Sequence, residues 1–189
     1  MIKVIETKYH GYHFRSRLEA RWALFLDCMD AKWEYEKEGF VLSNGEHYLP
    51  DFWLPELNLW LEIKGQRPTK EDLDRCRLLR DDGSTAIVIF GGLPGDYYGT
   101  LFCWDLSDSS GGSSEWDASI SNTGYGDLCL WVETSKALYT DASMEHETLI
   151  ENGCVKVDIA AGFAKSARFE HGQEPSAASC WKSDIGVKH

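Results

Sequence analysis

Residues 50 to 64 read Pro50-Asp51-Phe52-Trp53-Leu54-Pro55-Glu56-Leu57-Asn58-Leu59-Trp60-Leu61-Glu62-Ile63-Lys64, and their order predicts oxygen ligands gathered on one side of a β-hairpin. Pro55-Glu56-Leu57-Asn58 carries turn-forming residues at both ends. Pairing outward from that turn sets Leu54 against Leu59, Trp53 against Trp60, Phe52 against Leu61, Asp51 against Glu62 and Leu49 against Lys64. Side chains alternate across a strand, so Phe52, Leu54, Leu59, Leu61 and Ile63 share one face. Asp51, Trp53, Trp60, Glu62 and Lys64 share the other. The apolar face is expected to dock on a core and the charged face to point outward. Directly opposed Cβ atoms lie about 4.5–5.5 Å apart. Two carboxylates held that close repel each other unless a cation lies between them, and a hard divalent metal is the usual solution.

The elements that must position this hairpin are also legible. Ser16-Arg17-Leu18-Glu19 has the form of a capping box, and Leu18, Trp22, Phe25, Leu26 and Met29 follow at helical spacing. Glu19 either caps its helix or points at the charged face and joins a metal shell, directly or through water. Trp33 and Tyr35 alternate within Lys32–Glu36, Phe40-Val41-Leu42 continues as a strand, and Ser43-Asn44-Gly45-Glu46 supplies a hairpin turn before His47. Gly65-Gln66-Arg67-Pro68 breaks the strand after Lys64. Thr69 then starts a helix to about Arg80, with Leu73, Cys76 and Leu79 inward and Asp81-Asp82-Gly83 ending it. The apolar run Thr85–Phe90 suits a buried strand parallel to its neighbours. The fold class expected is α/β, with three layers.

Pro50-Asp51, ten intervening residues, and Glu62-Ile63-Lys64 resemble the signature of the PD-(D/E)XK nuclease superfamily, with Glu19 as its upstream helical glutamate. Phe14-Arg15-Ser16-Arg17-Leu18-Glu19-Ala20-Arg21-Trp22-Ala23, taken with Tyr48-Leu49-Pro50-Asp51-Phe52-Trp53-Leu54-Pro55, is similar to small nucleases of bacteriophage and prophage genomes. The likeness covers roughly residues 9 to 90. It implies a restriction-endonuclease-like core, a mixed central sheet flanked by helices in the order αβββαβ, within residues 1–104. It also implies metal-dependent hydrolysis of DNA phosphodiester bonds, with Glu19, Asp51, Glu62 and Lys64 catalytic. Asp51, Glu62 and the main-chain carbonyl of Ile63 would hold Mg²⁺ or Mn²⁺. Lys64, if charged, cannot be the base; its expected role is to orient the attacking water and stabilise negative charge. Arg15, Arg17, Gln66 and Arg67 flank the site as substrate contacts, and His13 is near in sequence. A homodimer is the form expected where both strands are cut.

Charge fits a DNA-binding protein only in part. The chain of 189 residues has a formal net charge of −12, whereas nucleic-acid enzymes usually carry a basic footprint. Residues 1–80 hold 13 Lys+Arg against 14 Asp+Glu, and residues 81–189 hold 6 against 17. The acidic excess therefore lies in a C-terminal extension, residues 105–189, whose Ser, Asp and Gly content reads as flexible over 105–124. That asymmetry leaves two other readings open. One is a catalytically idle nuclease fold that binds DNA or a protein. The other is an acidic half that mimics nucleic acid and engages a DNA-binding protein.

The remaining signals are weaker. The cysteines at 28, 76, 103, 129, 154 and 180 form no Cys-x-x-Cys pair, which disfavours a zinc ribbon and predicts reduced thiols. No run is long and apolar enough for a membrane span and no signal sequence opens the chain, so a cytoplasmic location without membrane association is expected. Thr100–Trp104 and Leu128–Val132 read as strands, Ile159–Arg168 as a short helix, and the chain after Gly172 as a tail. Glu145-His146-Glu147 lacks the i, i+4 spacing of a zinc motif. His171 reads as a surface histidine.

Overall fold

In a computed structural model, residues 7–93, 98–104, 113–122, 128–132, 157–169 and 174–182 are described. The fold is mixed α/β. Strands β1 (Thr7–Tyr9) and β2 (Tyr12–Phe14) form a hairpin ahead of helix α1 (Arg17–Cys28). Then come β3 (Glu34–Tyr35), β4 (Phe40–Val41), β5 (His47–Tyr48), β6 (Phe52–Leu54), β7 (Leu59–Lys64), helix α2 (Lys70–Asp81) and β8 (Ala86–Phe90). The chain continues through β9 (Tyr98–Trp104), β10 (Ser113–Asn122), β11 (Leu128–Val132), helix α3 (157–166) and a 3₁₀ helix, Ala177–Lys182.

Seven strands make one sheet in the order β11-β10-β9-β8-β7-β6-β3, while β1–β2 and β4–β5 are separate pairs. β7 and β8 run parallel, and the other neighbours are antiparallel. β8 is thus parallel to one neighbour only, because the short connection from β8 to β9 returns the chain directly alongside. The hairpin register is the expected one, Phe52 with Leu61, Trp53 with Trp60 and Leu54 with Leu59. The turn closes through Leu57 N–H to Leu54 O (3.2 Å) and Asn58 N–H to Pro55 O (3.3 Å). Asn58 takes the left-handed φ of 49° that asparagine tolerates.

The ladder stops at Phe52–Leu61 and does not reach Leu49–Lys64. The next hydrogen-bonded position opposite β7 is Pro50, which has no N–H to offer, while the carbonyl of Asp51 faces the β3 side and accepts from Glu36 N–H at 2.9 Å. Leu49 is left partly exposed.

Each face of the sheet carries a core. On the α1 side, Trp22 and Phe25 of the helix cluster with Phe14, Phe52, Leu54, Leu59, Leu61 and Ile63, joined by Ala160, Ala161 and Ala164 of α3 and by Cys180. Trp22 is fully buried and donates its indole N–H to Gly92 O at 3.0 Å. On the α2 side, Cys76 and Leu79 of the helix cluster with Leu42, Tyr48, Trp60 and Phe102. The second face of the hairpin is therefore covered, not outward. Trp53 and Trp60 alternate with the charged residues and need apolar cover, which α2 and the β4–β5 hairpin provide.

Helix α2 begins with a complete capping box. Thr69 Oγ1 accepts from Asp72 N–H (3.2 Å) and Asp72 Oδ2 accepts from Thr69 N–H (2.9 Å). Thr69→Ala is expected to destabilise the protein by about 1 kcal/mol, read as a lower urea midpoint. An unchanged midpoint would mean the cap is energetically idle.

Several expectations for the second half are revised. Residues 113–122, within the segment read as flexible, form β10 and pair with β9 and β11. The segment after Gly172 includes the 3₁₀ helix, whose Cys180 is fully buried in the α1-side core. Cys28, Cys76 and Cys180 are free thiols. Among the described residues no helix is long and apolar enough to cross a membrane. Glu145-His146-Glu147 and His171 lie outside the described residues.

Candidate active site

Four acidic or basic side chains expected from the sequence meet where β6 begins and β7 ends. Continuing the register one step sets Asp51 opposite Glu62. Trp60 N–H bonds to Thr85 O on the β8 side, so Glu62, two residues on, also turns its backbone toward β8. Asp51 and Glu62 are then a non-hydrogen-bonded cross-strand pair, the kind whose side chains approach more closely. Both are buried, Asp51 to 3% exposure and Glu62 to 7%.

Each carboxylate has defined partners. Asp51 Oδ2 accepts from Ile63 N–H at 2.7 Å, and Oδ1 accepts from Arg15 Nη2 at 2.5 Å. Glu62 Oε1 pairs with Lys64 Nζ at 2.6 Å, and Oε2 accepts from the Tyr48 hydroxyl at 3.0 Å. Lys64 Nζ also reaches Asp72 Oδ1 at 3.2 Å. Glu19 Oε2 accepts from the Tyr35 hydroxyl at 2.6 Å and from Arg15 N–H at 3.1 Å. The expected capping box of α1 is therefore half made. Ser16 Oγ accepts from Glu19 N–H (3.1 Å), but the Glu19 carboxylate passes over the Ser16 N–H to the Arg15 one. Glu19 caps its helix and also turns toward the site.

Electrostatics single out Asp51. Burial raises its pKa well above the ordinary carboxylate value, the charges of Glu62 and Glu19 raise it further, and Ile63 N–H and Arg15 only partly oppose them. Burial works against the Lys64 ammonium, yet Glu62 and Asp72 outweigh it, so Lys64 titrates above the usual lysine range and is charged at neutral pH. Burial also raises the Tyr48 hydroxyl well above its usual value and pushes the Cys76 thiol up to about 12. Both stay neutral, and Tyr48 gives Glu62 a hydrogen bond without adding charge.

The donor set suits a hard divalent cation. Glu19, Asp51 and Glu62 are buried carboxylates, the charges of Glu62 and Glu19 disfavour ionisation of Asp51, and a cation would relieve that penalty. Ile63 adds a main-chain oxygen. Its N–H faces the β6 side, so its carbonyl faces Pro50, which supplies no N–H to occupy it. Among the described residues no group of three or more His, Cys, Asp or Glu is gathered in ligating geometry. Arg15 and Lys64 hold Asp51 and Glu62 instead.

The expected substrate contacts separate into two sets. Arg15 is engaged with Asp51 and, through Nε, with Glu36 Oε1 at 2.8 Å. Arg17 is half-buried in the first turn of α1, whereas Gln66 and Arg67 are exposed on the loop after Lys64. That loop passes the first turn of α1, since a Cβ on Gly65 would lie 3.8 Å from Leu18 Cδ2. His13 is exposed on β2.

Sequence reasoning missed Tyr35, Glu36, Tyr48 and Asp72 as members of this site. Only Asp72 had a usable signal. Thr69-x-x-Asp72 marks a helix start five residues after Lys64, which places that acid near the end of β7. Comparison with family models, curated proteins and solved structures returned no match to this chain.

Proposed function

We propose that this protein is a metal-dependent nuclease that hydrolyses DNA phosphodiester bonds, an endonuclease of the phage or prophage type with a PD-(D/E)XK site. The observation that carries the reading is the convergence of buried Asp51 and Glu62 on adjacent strands with Lys64 on the same face. Along the main sheet the order α1-β3-β6-β7-α2-β8 follows αβββαβ, which supports a restriction-endonuclease-like core.

Asp51, Glu62 and the Ile63 carbonyl would hold Mg²⁺ or Mn²⁺, and Glu19 would act through water or as a further ligand. Held there, such an ion would supply Lewis-acid polarisation of the scissile phosphate and a more acidic water nucleophile. Lys64, charged between Glu62 and Asp72, donates hydrogen bonds toward the attacking water and the developing negative charge. Tyr48 and Tyr35 fix the rotamers of Glu62 and Glu19. Gln66 and Arg67 stand on the exposed rim, where they can meet phosphates, as can Arg15 and Arg17 beside them. DNA is thus the partner, with a homodimer the form expected for double-strand cutting.

A cleavage assay on plasmid, linear, single-stranded and branched DNA, with and without Mg²⁺ or Mn²⁺, tests this. Lys64→Ala is expected to lower the rate by at least about 10²-fold, the usual loss when one transition-state donor is removed, with far-UV circular dichroism unchanged. A second reading is favoured by the internal cations on Asp51 and Glu62. It is a catalytically idle nuclease fold that binds DNA or a protein partner. DNA binding without cleavage of any substrate in either metal would select it.

A further inference from the structure

The two inner carboxylates are neutralised in the same way. Asp51 shares Arg15 with Glu36, and Glu62 shares Lys64 with Asp72. In each case one cation bridges an inner acid of the proposed metal site and an outer acid beside it. The Arg15 bridge has the asymmetry of a displaceable counter-ion. The Asp51 side chain is 4% exposed while that of Arg15 is 55% exposed, so the guanidinium reaches inward from solvent. It uses different nitrogens for its two partners, Nη2 for Asp51 and Nε for Glu36. One contact can therefore break while the other stays.

Glu36 is built to keep its end. It follows β3 with a φ of 45°, a conformation a glutamate seldom adopts. Its N–H is fixed to Asp51 O at 2.9 Å. Asp51 is likewise anchored without the arginine, through Ile63 N–H on its other oxygen.

We propose that Arg15 is a displaceable counter-ion for Asp51, occupying the carboxylate oxygen that a divalent cation must take, and that Glu36 is the positioning residue that retains the guanidinium once the cation arrives. The inference rests on the metal-dependent reading above. Two like charges do not share Asp51 Oδ1, so metal entry and the Arg15–Asp51 contact exclude each other. With Nε still on Glu36, the freed Nη2 becomes available to a phosphate of the substrate. Metal loading and substrate capture are thereby coupled through one side chain.

The test is calorimetric titration of the full chain with Mn²⁺, and separately Ca²⁺, in the absence of DNA. Arg15→Gln is expected to bind either ion more tightly, on the order of tenfold, because the closed, competing arrangement is removed. Glu36→Gln is expected to weaken binding severalfold, since the displaced guanidinium then loses its remaining carboxylate. In the Arg15→Gln background, Glu36→Gln should change nothing further, as a residue acting through Arg15 requires. Thermal melts confirm that each variant folds, and Arg15→Lys, which keeps the charge but not the fork of separate nitrogens, is a second probe expected to fall between parent and Arg15→Gln. Arg15→Gln binding no more tightly than the parent, or Glu36→Gln acting equally without Arg15, overturns the inference. If the parent still cleaves DNA with metal, that failure leaves the nuclease reading standing. If parent and Arg15→Gln both bind no Mn²⁺ and cleave nothing, the metal-dependent reading falls and the inference with it.

Discussion

Asp51→Asn is expected to melt at a higher temperature than the parent in metal-free buffer at pH 7, while losing most of the proposed DNA cleavage. The stability gain follows from the Asp51 environment. Its carboxyl is buried and faces the charges of Glu62 and Glu19, so its folded pKa lies well above the ordinary value despite Arg15 and Ile63 N–H. For an acid raised in the folded state, the stabilising contribution is complete below the unfolded pKa of about 3.9 and is lost as pH climbs through the folded pKa. At pH 7 the folded parent is therefore destabilised by holding this carboxyl where its charge is disfavoured. Asparagine removes that charge and keeps an oxygen to accept from Ile63 N–H. A gain of about 0.5–2 kcal/mol is expected, the range typical of relieving a strained functional position. The difference should shrink below about pH 4, where both side chains are neutral. Divalent cation should raise the melting temperature of the parent and not of the variant, with cleavage down by at least about 10²-fold. A variant that melts lower than the parent at pH 7 would mean that Arg15 and Ile63 outweigh the repulsion.

Phe52→Ala carries the largest expected loss of stability. Phe52 is fully buried at the centre of the α1-side core. Its ring meets Phe14 (6.0 Å between centroids), Trp33 (5.7 Å) and Tyr35 (5.4 Å). Truncation leaves an aromatic-sized void, and such changes cost about 3–5 kcal/mol. Domains of this size have only about 5–15 kcal/mol to lose, so a large fall in urea midpoint is expected. The substitution also loosens Tyr35, whose hydroxyl holds Glu19. A shift equivalent to under about 1 kcal/mol would show that the void is refilled by neighbours.

The hairpin was readable in advance because its two signals agree. Pro55 and Asn58 define the turn, and the alternating residues around them allow a single register, the one found. Helices α1 and α2 were readable for a similar reason, with Ser16 at the N-cap its capping pattern predicted and Thr69 where the second helix was expected to start. What alternation cannot tell is whether a mixed face is wet or covered. Trp53 and Trp60 argue for cover, Asp51 and Glu62 against it, and only the long-range placement of α2 and the β4–β5 hairpin decides. The internal cations were illegible for a related reason. Arg15 lies 36 residues from Asp51 in sequence, and nothing local says that its side chain turns inward. The β1–β2 hairpin was missed too. Its turn is His10-Gly11, both at positive φ, where Asn-Gly is the familiar signature.

Pro50 gives the site an unusual distribution of vulnerability. In the proposed metal site, a donor contributed by the peptide group of Ile63 would not depend on which side chain that residue bears, so position 63 answers to packing, where Ile63 is 7% exposed in the α1-side core. On that proposal the chemical constraint falls across the hairpin on Pro50, an imino acid with no N–H to offer. Any ordinary amino acid in its place would bring an amide proton able to claim the oxygen and zip the fork shut. A residue with no reactive group would thus guard a proposed ligand that belongs to its neighbour.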